Sequence, residues 1–278
     1  MKFNNKGESV LEEKLIGKEE TGLSLYKDFS VFAEIRGKTE NEIVVECKMF
    51  EIRKVMEKLS VSVVRNDLSE KEKTALIEYA LFCGMKSVVA SPCYLDSVIA
   101  AIKRSKKDMN LISVVDFPFG EGSEKSHIAD IKDSVKKGVD GIISVFSASL
   151  FNSEDFKVTK KRLKKIGRIK GISKYFGVSA IDLNEGGIKR LVKCAAKYPV
   201  SGVALLFGDA KENEIAARIN EIKAAGLKKP LTIFASVKNL SGVKFSNSLG
   251  ADEIITPFAK EIGEELMDKF GVSGEFKR

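Results

Sequence analysis

The chain has 278 residues, of which 44% are hydrophobic and 31% charged, the make-up of an ordinary globular protein long enough for one α/β barrel with an extension or for two modest domains. The 47 basic and 39 acidic residues leave a formal charge of +8, a mild and scattered excess that suits anionic metabolites and demands no nucleic acid. No apolar stretch approaches bilayer length and MKFNNKGESV lacks a signal-peptide core, so no membrane association is expected.

Residues 1–24 are polar and without period, and read as an arm. FSVFAEIRG, the turn GKTEN and EIVVECKMF predict a hairpin over 29–50, with a short helix over 50–59 behind it. From Ser60 onward the cadence is regular. A strand over Val61–Val64 is followed by Ser69 and Glu72, which form a capping box for a helix that Gly84 ends. A strand at Ser87–Ala90 leads into SPCYLDSVIAAI, a turn and a helix. Residues 110–148 then hold a complete βαβ unit. It consists of the apolar run Leu111–Val115, a turn with Pro118, Gly120 and Gly122, an amphipathic helix stopped by Gly138, and the apolar run Gly141–Phe146. Strands without polar alternation are buried on both faces, as in parallel sheets.

The same alternation continues. A basic helix is predicted over Glu154–Lys165, a strand over Phe176–Ile181, a helix capped by Asn184, and a strand over Val203–Phe207. Then come a helix over Glu212–Ala225, a strand over Leu231–Ala235, and a last helix–strand–helix from Leu240 to Phe270. Four helix-to-strand joins share one rhythm: CGMKSVVAS, KGVDGIISV, YPVSGVALL and LGADEIITP. Eight strand–helix pairs with this repeat predict a closed (β/α)8 barrel over 59–278, preceded by an arm, hairpin and helix over 1–58. An open doubly wound sheet is the weaker alternative, because no G-x-G-x-x-G follows a strand.

The order of these segments resembles the deoxyribose-phosphate aldolase family of class I aldolases over Ser60–Gly250. The likeness lies in VVRNDLSEKE, SVVASPCYL, VVDFPFGEGS and GVDGIISV. The resemblance implies a Schiff-base lysine on the sixth strand, a second lysine on the seventh that depresses its pKa, and an aspartate on the fourth that relays protons. The chemistry needs all three, since only an unprotonated amine attacks a carbonyl and a carboxylate must move the protons. Aligned on that pattern, Ala204 stands at the nucleophile, Phe234 at the second lysine, Ile143 at the aspartate and Ser147 at a family asparagine. The glycines that hold phosphate in the family are replaced by Ser236-Val237-Lys238 and Thr256-Pro257-Phe258. The stretch ASVKNLSGVKFSNSLGADEIITPF is also similar to the end of the small transaldolases, where a serine and an arginine bind phosphate. Here Ser236 and Lys238 occupy those places, and a helix starting near Asn239 would aim its amides at the same spot.

The chemistry of such a barrel sits at the C-terminal ends of its strands. The candidates placed there are Asp116 as an acid or base, Lys238 as a displaced nucleophile or anion contact, and Arg65, Ser91, Ser147, Ser236, Lys238 and Thr256 as ligand-binding residues. The bland alternatives are a turn cap for Asp116 and solvated side chains for Lys238 and Arg65. The single histidine, His127, has no paired ligand spacing, which excludes a zinc-dependent aldolase, and no metal or cofactor is expected. Cys93 has no visible base beside it and reads as structural. Cys47, Cys83, Cys93 and Cys194 form no CxxC pair and point to a reducing, cytoplasmic setting. The run KVTKKRLKKIGRIK reads as a solvated helix on the barrel; binding of an acidic partner is its alternative.

Three functions follow. The first is a family barrel without Schiff-base chemistry that binds a small ligand, phosphorylated or not, or a protein partner, another copy of itself included. The second is an active carbon–carbon lyase with relocated groups, and the third is a scaffolding subunit that docks through the basic helix.

Overall fold

Eight parallel strands close on themselves in the computed structural model, which describes residues 40–64, 68–153 and 157–271. The chain divides into two units, 1–51 and 52–278. Helix α1 (Glu40–Met56) crosses that division. The barrel unit then runs β1 (Leu59–Ser62), α2 (Glu70–Cys83), β2 (Ser87–Ala90), a 3-10 turn (Pro92–Tyr94), α3 (Leu95–Ser105), β3 (Asn110–Val115), α4 (Glu124–Lys136) and β4 (Gly141–Phe146). It continues with α5 (Ala148–Asn152), α6 (Lys157–Gly167), β5 (Ser173–Ser179), α7 (Glu185–Lys197), β6 (Gly202–Gly208), α8 (Glu212–Ala224), β7 (Leu231–Ala235), α9 (Leu240–Ser248), β8 (Glu253–Thr256) and α10 (Ala259–Phe270). Each strand pairs with its sequence neighbours, and β1 closes on β8 with Ser60 opposite Ile255. The expected (β/α)8 barrel is the observed fold.

The shared rhythm of the helix-to-strand joins has a physical cause. In three of them the polar residue just before the strand bonds the start of the preceding strand. The Leu111 amide donates to Asp140 Oδ2 at 2.8 Å, the Lys174 amide to Ser201 Oγ at 3.1 Å, and the Leu231 amide to Asp252 Oδ2 at 2.8 Å. A first residue of a parallel strand has no ladder partner on one side, so a short acceptor from the next join satisfies it. In the fourth join this place is taken by Lys86, whose amide donates to the Leu59 carbonyl at 2.8 Å.

The hairpin expected over 29–50 is corrected in its second half. Residues 40–50 are helical, and the first half lies outside the described residues. The β-branched run Ile43-Val44-Val45 reads as a strand. Ile52 and Met56, however, four residues apart on one side of the helix, are fully buried. The predicted caps are present. Ser69 and Glu72 bond each other's backbone, Gly84 takes φ 67°, and Asn184 accepts from the Gly187 amide.

The strands' inner faces make two zones. At the N-terminal end Ser60 Oγ donates to Glu253 Oε1 at 2.5 Å, Ser87 Oγ donates to Ser60 Oγ at 2.7 Å, and Lys86 Nζ pairs with Glu253 Oε2 at 2.9 Å. Burial and the Glu253 charge push the Tyr175 hydroxyl above its usual pKa. Above this polar floor lies an apolar layer of Val64, Val89, Ile112, Val114, Ile143, Val145, Ala204, Leu206, Phe234 and Ile255.

Cys83, Cys93 and Cys194 are free thiols. Burial pushes Cys83 and Cys194 up to about 11, whereas Cys93 is exposed on the 3-10 turn. At about pH 8, iodoacetamide should alkylate Cys93 and leave Cys83 and Cys194 untouched until denaturant is added, as read by peptide mass spectrometry.

Candidate functional site

At the C-terminal ends of the strands the chain leaves β3 through Asp116, a non-glycine residue at φ 61°. Asp tolerates this left-handed conformation better than most residues. The turn is locked from three sides. The Gly120 amide donates to the Asp116 carbonyl at 2.7 Å, the Ser147 amide donates to the Gly120 carbonyl at 3.3 Å, and the Asp116 carboxylate pairs with His127 Nδ1. His127 Nε2 bonds Ser144 Oγ at 2.5 Å, and Arg162 brings Nη1 within 3.9 Å of the carboxylate while Nη2 donates to the Gly122 carbonyl at 2.8 Å. A Cβ at Gly122 would overlap the Asp116 carboxylate, and one at Gly120, where φ is 70°, would overlap the end of β4. Both glycines of the loop are therefore required for close approach.

Acid, imidazole and hydroxyl in this order are the parts of a nucleophilic triad. Here they do not serve as one. His127 and Ser144 have no exposed surface, Ser144 faces α4 outside the barrel wall, and neither lines a described cavity. The cluster is a clamp between β3, β4, α4 and α6. Sequence reading held Asp116 as a catalytic candidate and His127 as isolated; their partners lie 11 and 17 residues from the histidine and meet it only through the fold.

Beyond Asp116 the loop crosses the barrel. Phe117 precedes a cis peptide to Pro118 and stacks on Phe234 at 5.0 Å between centroids and 18° between planes. A cavity of about 540 Å³ opens beside this stack, lined by Phe117, Phe119, Ile181, Leu206, Phe207, Phe234 and Pro257. Its polar lining is Ser62, Ser179, Ser236, Asp182 and Glu214. Ser179 Oγ donates to Asp182 Oδ2 at 2.5 Å, and Glu214 Oε2 accepts from the Lys211 amide at 2.8 Å.

The expected ligand residues do not converge. Ser236 lines this cavity and shares a smaller adjoining hollow of about 210 Å³ with Lys238, Asn239 and Gly242. Lys238 is exposed, with Nζ 5.3 Å above the Phe258 ring. The amides of α9, expected to face an anion, are partly taken by the chain itself. Asn239 Oδ1 accepts from the Gly242 amide at 2.9 Å, and Glu265 Oε2 accepts from the Leu240 amide at 2.8 Å. Thr256 is fully buried and donates to the Val237 carbonyl at 2.7 Å, so its hydroxyl holds the loop after β7. Ser147 starts α5 and bonds Ser149 Oγ at 2.8 Å; Ser91 precedes the 3-10 turn; neither lines the cavity. Arg65 lies outside the described residues. Ile143, Ala204 and Phe234 all sit in the apolar layer below the cavity, with Leu206 directly opposite Phe234 on the paired strands.

No family model matches the chain. Among curated proteins, the deoxyribose-phosphate aldolase of Mycoplasmoides pirum is 25% identical over 214 residues, which is 75% of this chain and 96% of the relative. The chain is similar to the deoxyribose-phosphate aldolases. The aldolase of Thermoanaerobacter pseudethanolicus is 25% identical over 114 residues, 41% of this chain, and the match spans only 49% of that aldolase's length. Among solved structures, an aldolase designated QR15 superposes with a TM-score of 0.68 at 20% identity, covering 78% of this chain and 98% of QR15. The deoxyribose-phosphate aldolase of Aeropyrum pernix gives 0.63 at 15% identity, covering 80% and 95%. These superpositions bear on the (β/α)8 fold alone.

Replacement of His127 by leucine would leave the part-buried Asp116 carboxylate and the buried Ser144 hydroxyl without their shared partner. The expected loss is about 3 kcal/mol. It should be read as a lowered urea midpoint at unchanged slope.

Proposed function

We propose that this chain is a deoxyribose-phosphate-aldolase-like barrel without Schiff-base chemistry, which binds a small molecule in the cavity over its strands. The observation that carries the reading is the joint character of Ile143, Ala204 and Phe234. By the resemblance they stand where the proton relay, the nucleophilic amine and the second lysine belong. All three are buried in one apolar layer. An amine attacks a carbonyl only from a site that holds it unprotonated beside a proton acceptor, and these three side chains offer neither part.

The relocated-aldolase reading is weaker on the same geometry. Asp116 is engaged by His127 and Arg162 behind the loop, while Lys238 projects over Phe258 and lines the adjoining hollow. The two groups share no cavity among the described residues. The free thiols of Cys83, Cys93 and Cys194 support a reducing, cytoplasmic setting. No helix among the described residues is long and apolar enough to cross a membrane.

The test is incubation with 2-deoxyribose 5-phosphate in the presence of borohydride. The expected outcome is no released acetaldehyde and no mass increase on any lysine. A mapped lysine adduct would overturn the reading and name the nucleophile.

A further inference from the structure

One group in the cavity is left unexplained by its walls. Ser62, the last residue of β1, is 1% exposed, lines the cavity, and its Oγ has no hydrogen-bond partner. Ser60, two residues earlier on the same inner face, is satisfied by Glu253, so the strand itself does not forbid a partner at this level. Buried hydroxyls are almost always paired, and this one belongs to a residue of the cavity wall, where an occupant is the partner left to it.

The rest of the cavity states what that filler can be. Phe117, Leu206, Phe234 and Pro257 form apolar walls, and Phe119 and Ile181 stand at the rim, 72% and 38% exposed. The charged side chains among the described lining residues are Asp182 and Glu214, both acidic. The nearby amides of α9 are bonded by Asn239 and by the carboxylate of Glu265. An anion here meets like charge and little to neutralise it, whereas an apolar ring gains burial on several faces.

We propose that the cavity takes an apolar, ring-sized molecule that carries one hydroxyl or carbonyl head against Ser62 Oγ and no anionic group. The proposal rests on the reading of the mouth as a binding site without Schiff-base chemistry, and of the two kinds of ligand open to it, phosphorylated or not, it selects the second.

The test is a pair of fluorescence titrations of the full chain. One uses a neutral dialkylaminonaphthyl ketone, the other the anionic anilinonaphthalene sulfonate. The ketone should bind one-to-one with blue-shifted emission, about tenfold tighter than the sulfonate, and 2-deoxyribose 5-phosphate should not displace it. Phe119→Asp, at an exposed rim position, should weaken the ketone about tenfold. Ser62→Ala should weaken it about fivefold while leaving the unliganded protein's melting midpoint unchanged or higher. A purely structural serine would lower the midpoint and leave affinity alone. Tighter binding of the sulfonate, displacement by the sugar phosphate, absence of ketone binding, or unchanged affinity in Ser62→Ala each overturns the proposal. A borohydride-trapped lysine overturns instead the reading beneath it, and leaves a separate mark in the mass spectrum. Arg65→Gln, run alongside, should not alter ketone affinity; a loss there would place the head group at the β1–α2 loop and overturn the assignment to Ser62.

Discussion

The mouth of this barrel depends on how the chain turns at Asp116. With φ at 61°, the backbone leaves β3 across the barrel instead of continuing outward. A left-handed aspartate holds this turn only because its carboxylate is clamped by His127 and faced by Arg162, with Gly122 close enough that no side chain fits there. The clamp makes the position of Phe117 a consequence. Its ring is delivered onto Phe234, and the loop's remaining residues form one wall of the cavity. A polar network outside the barrel thus sets an apolar contact inside it.

The interior is zoned by the same economy. Charge is confined to the floor, where Glu253 has two serines and Lys86 to satisfy it. Ten apolar side chains cluster in the middle, with the inward Ser62 hydroxyl beside them. A working amine nucleophile needs the reverse, a polar middle with a cation and a proton acceptor near the open end. The chain keeps the eight-stranded barrel architecture, and ten apolar side chains cluster inside it. Fold alone carries no activity.

Most of the architecture was legible because its signals are local. The capping box at Ser69 and Glu72, the αL glycine at 84, and the apolar runs of β2, β4 and β7 each encode their own boundaries. The site was harder for a different reason. The clamp joins residues from β3, α4, β4 and α6, so His127 read as solitary. Thr256 read as a ligand residue, yet parity places it outward: Glu253 and Ile255 face the interior, so the residue after Ile255 faces away. The helix expected over 50–59 starts ten residues earlier, at Glu40, because the β-branched run Ile43-Val44-Val45 reads as a strand while the burial that anchors the helix lies further on, at Ile52 and Met56.

The layer holding Ala204 is a cluster of apolar side chains that offers no counter-charge of its own. The most direct measurement is the stability of Ala204→Lys as a function of pH. An ammonium placed in that layer should cost several kcal/mol, on the order of 3, near neutral pH. Part of that loss should be recovered as pH rises, because the unfolded state keeps its proton over the range in which the folded state has lost it. A variant as stable as the parent, with a difference that does not change with pH, would mean that water or a balancing carboxylate already reaches this level. The barrel would then still hold the environment of a working aldolase.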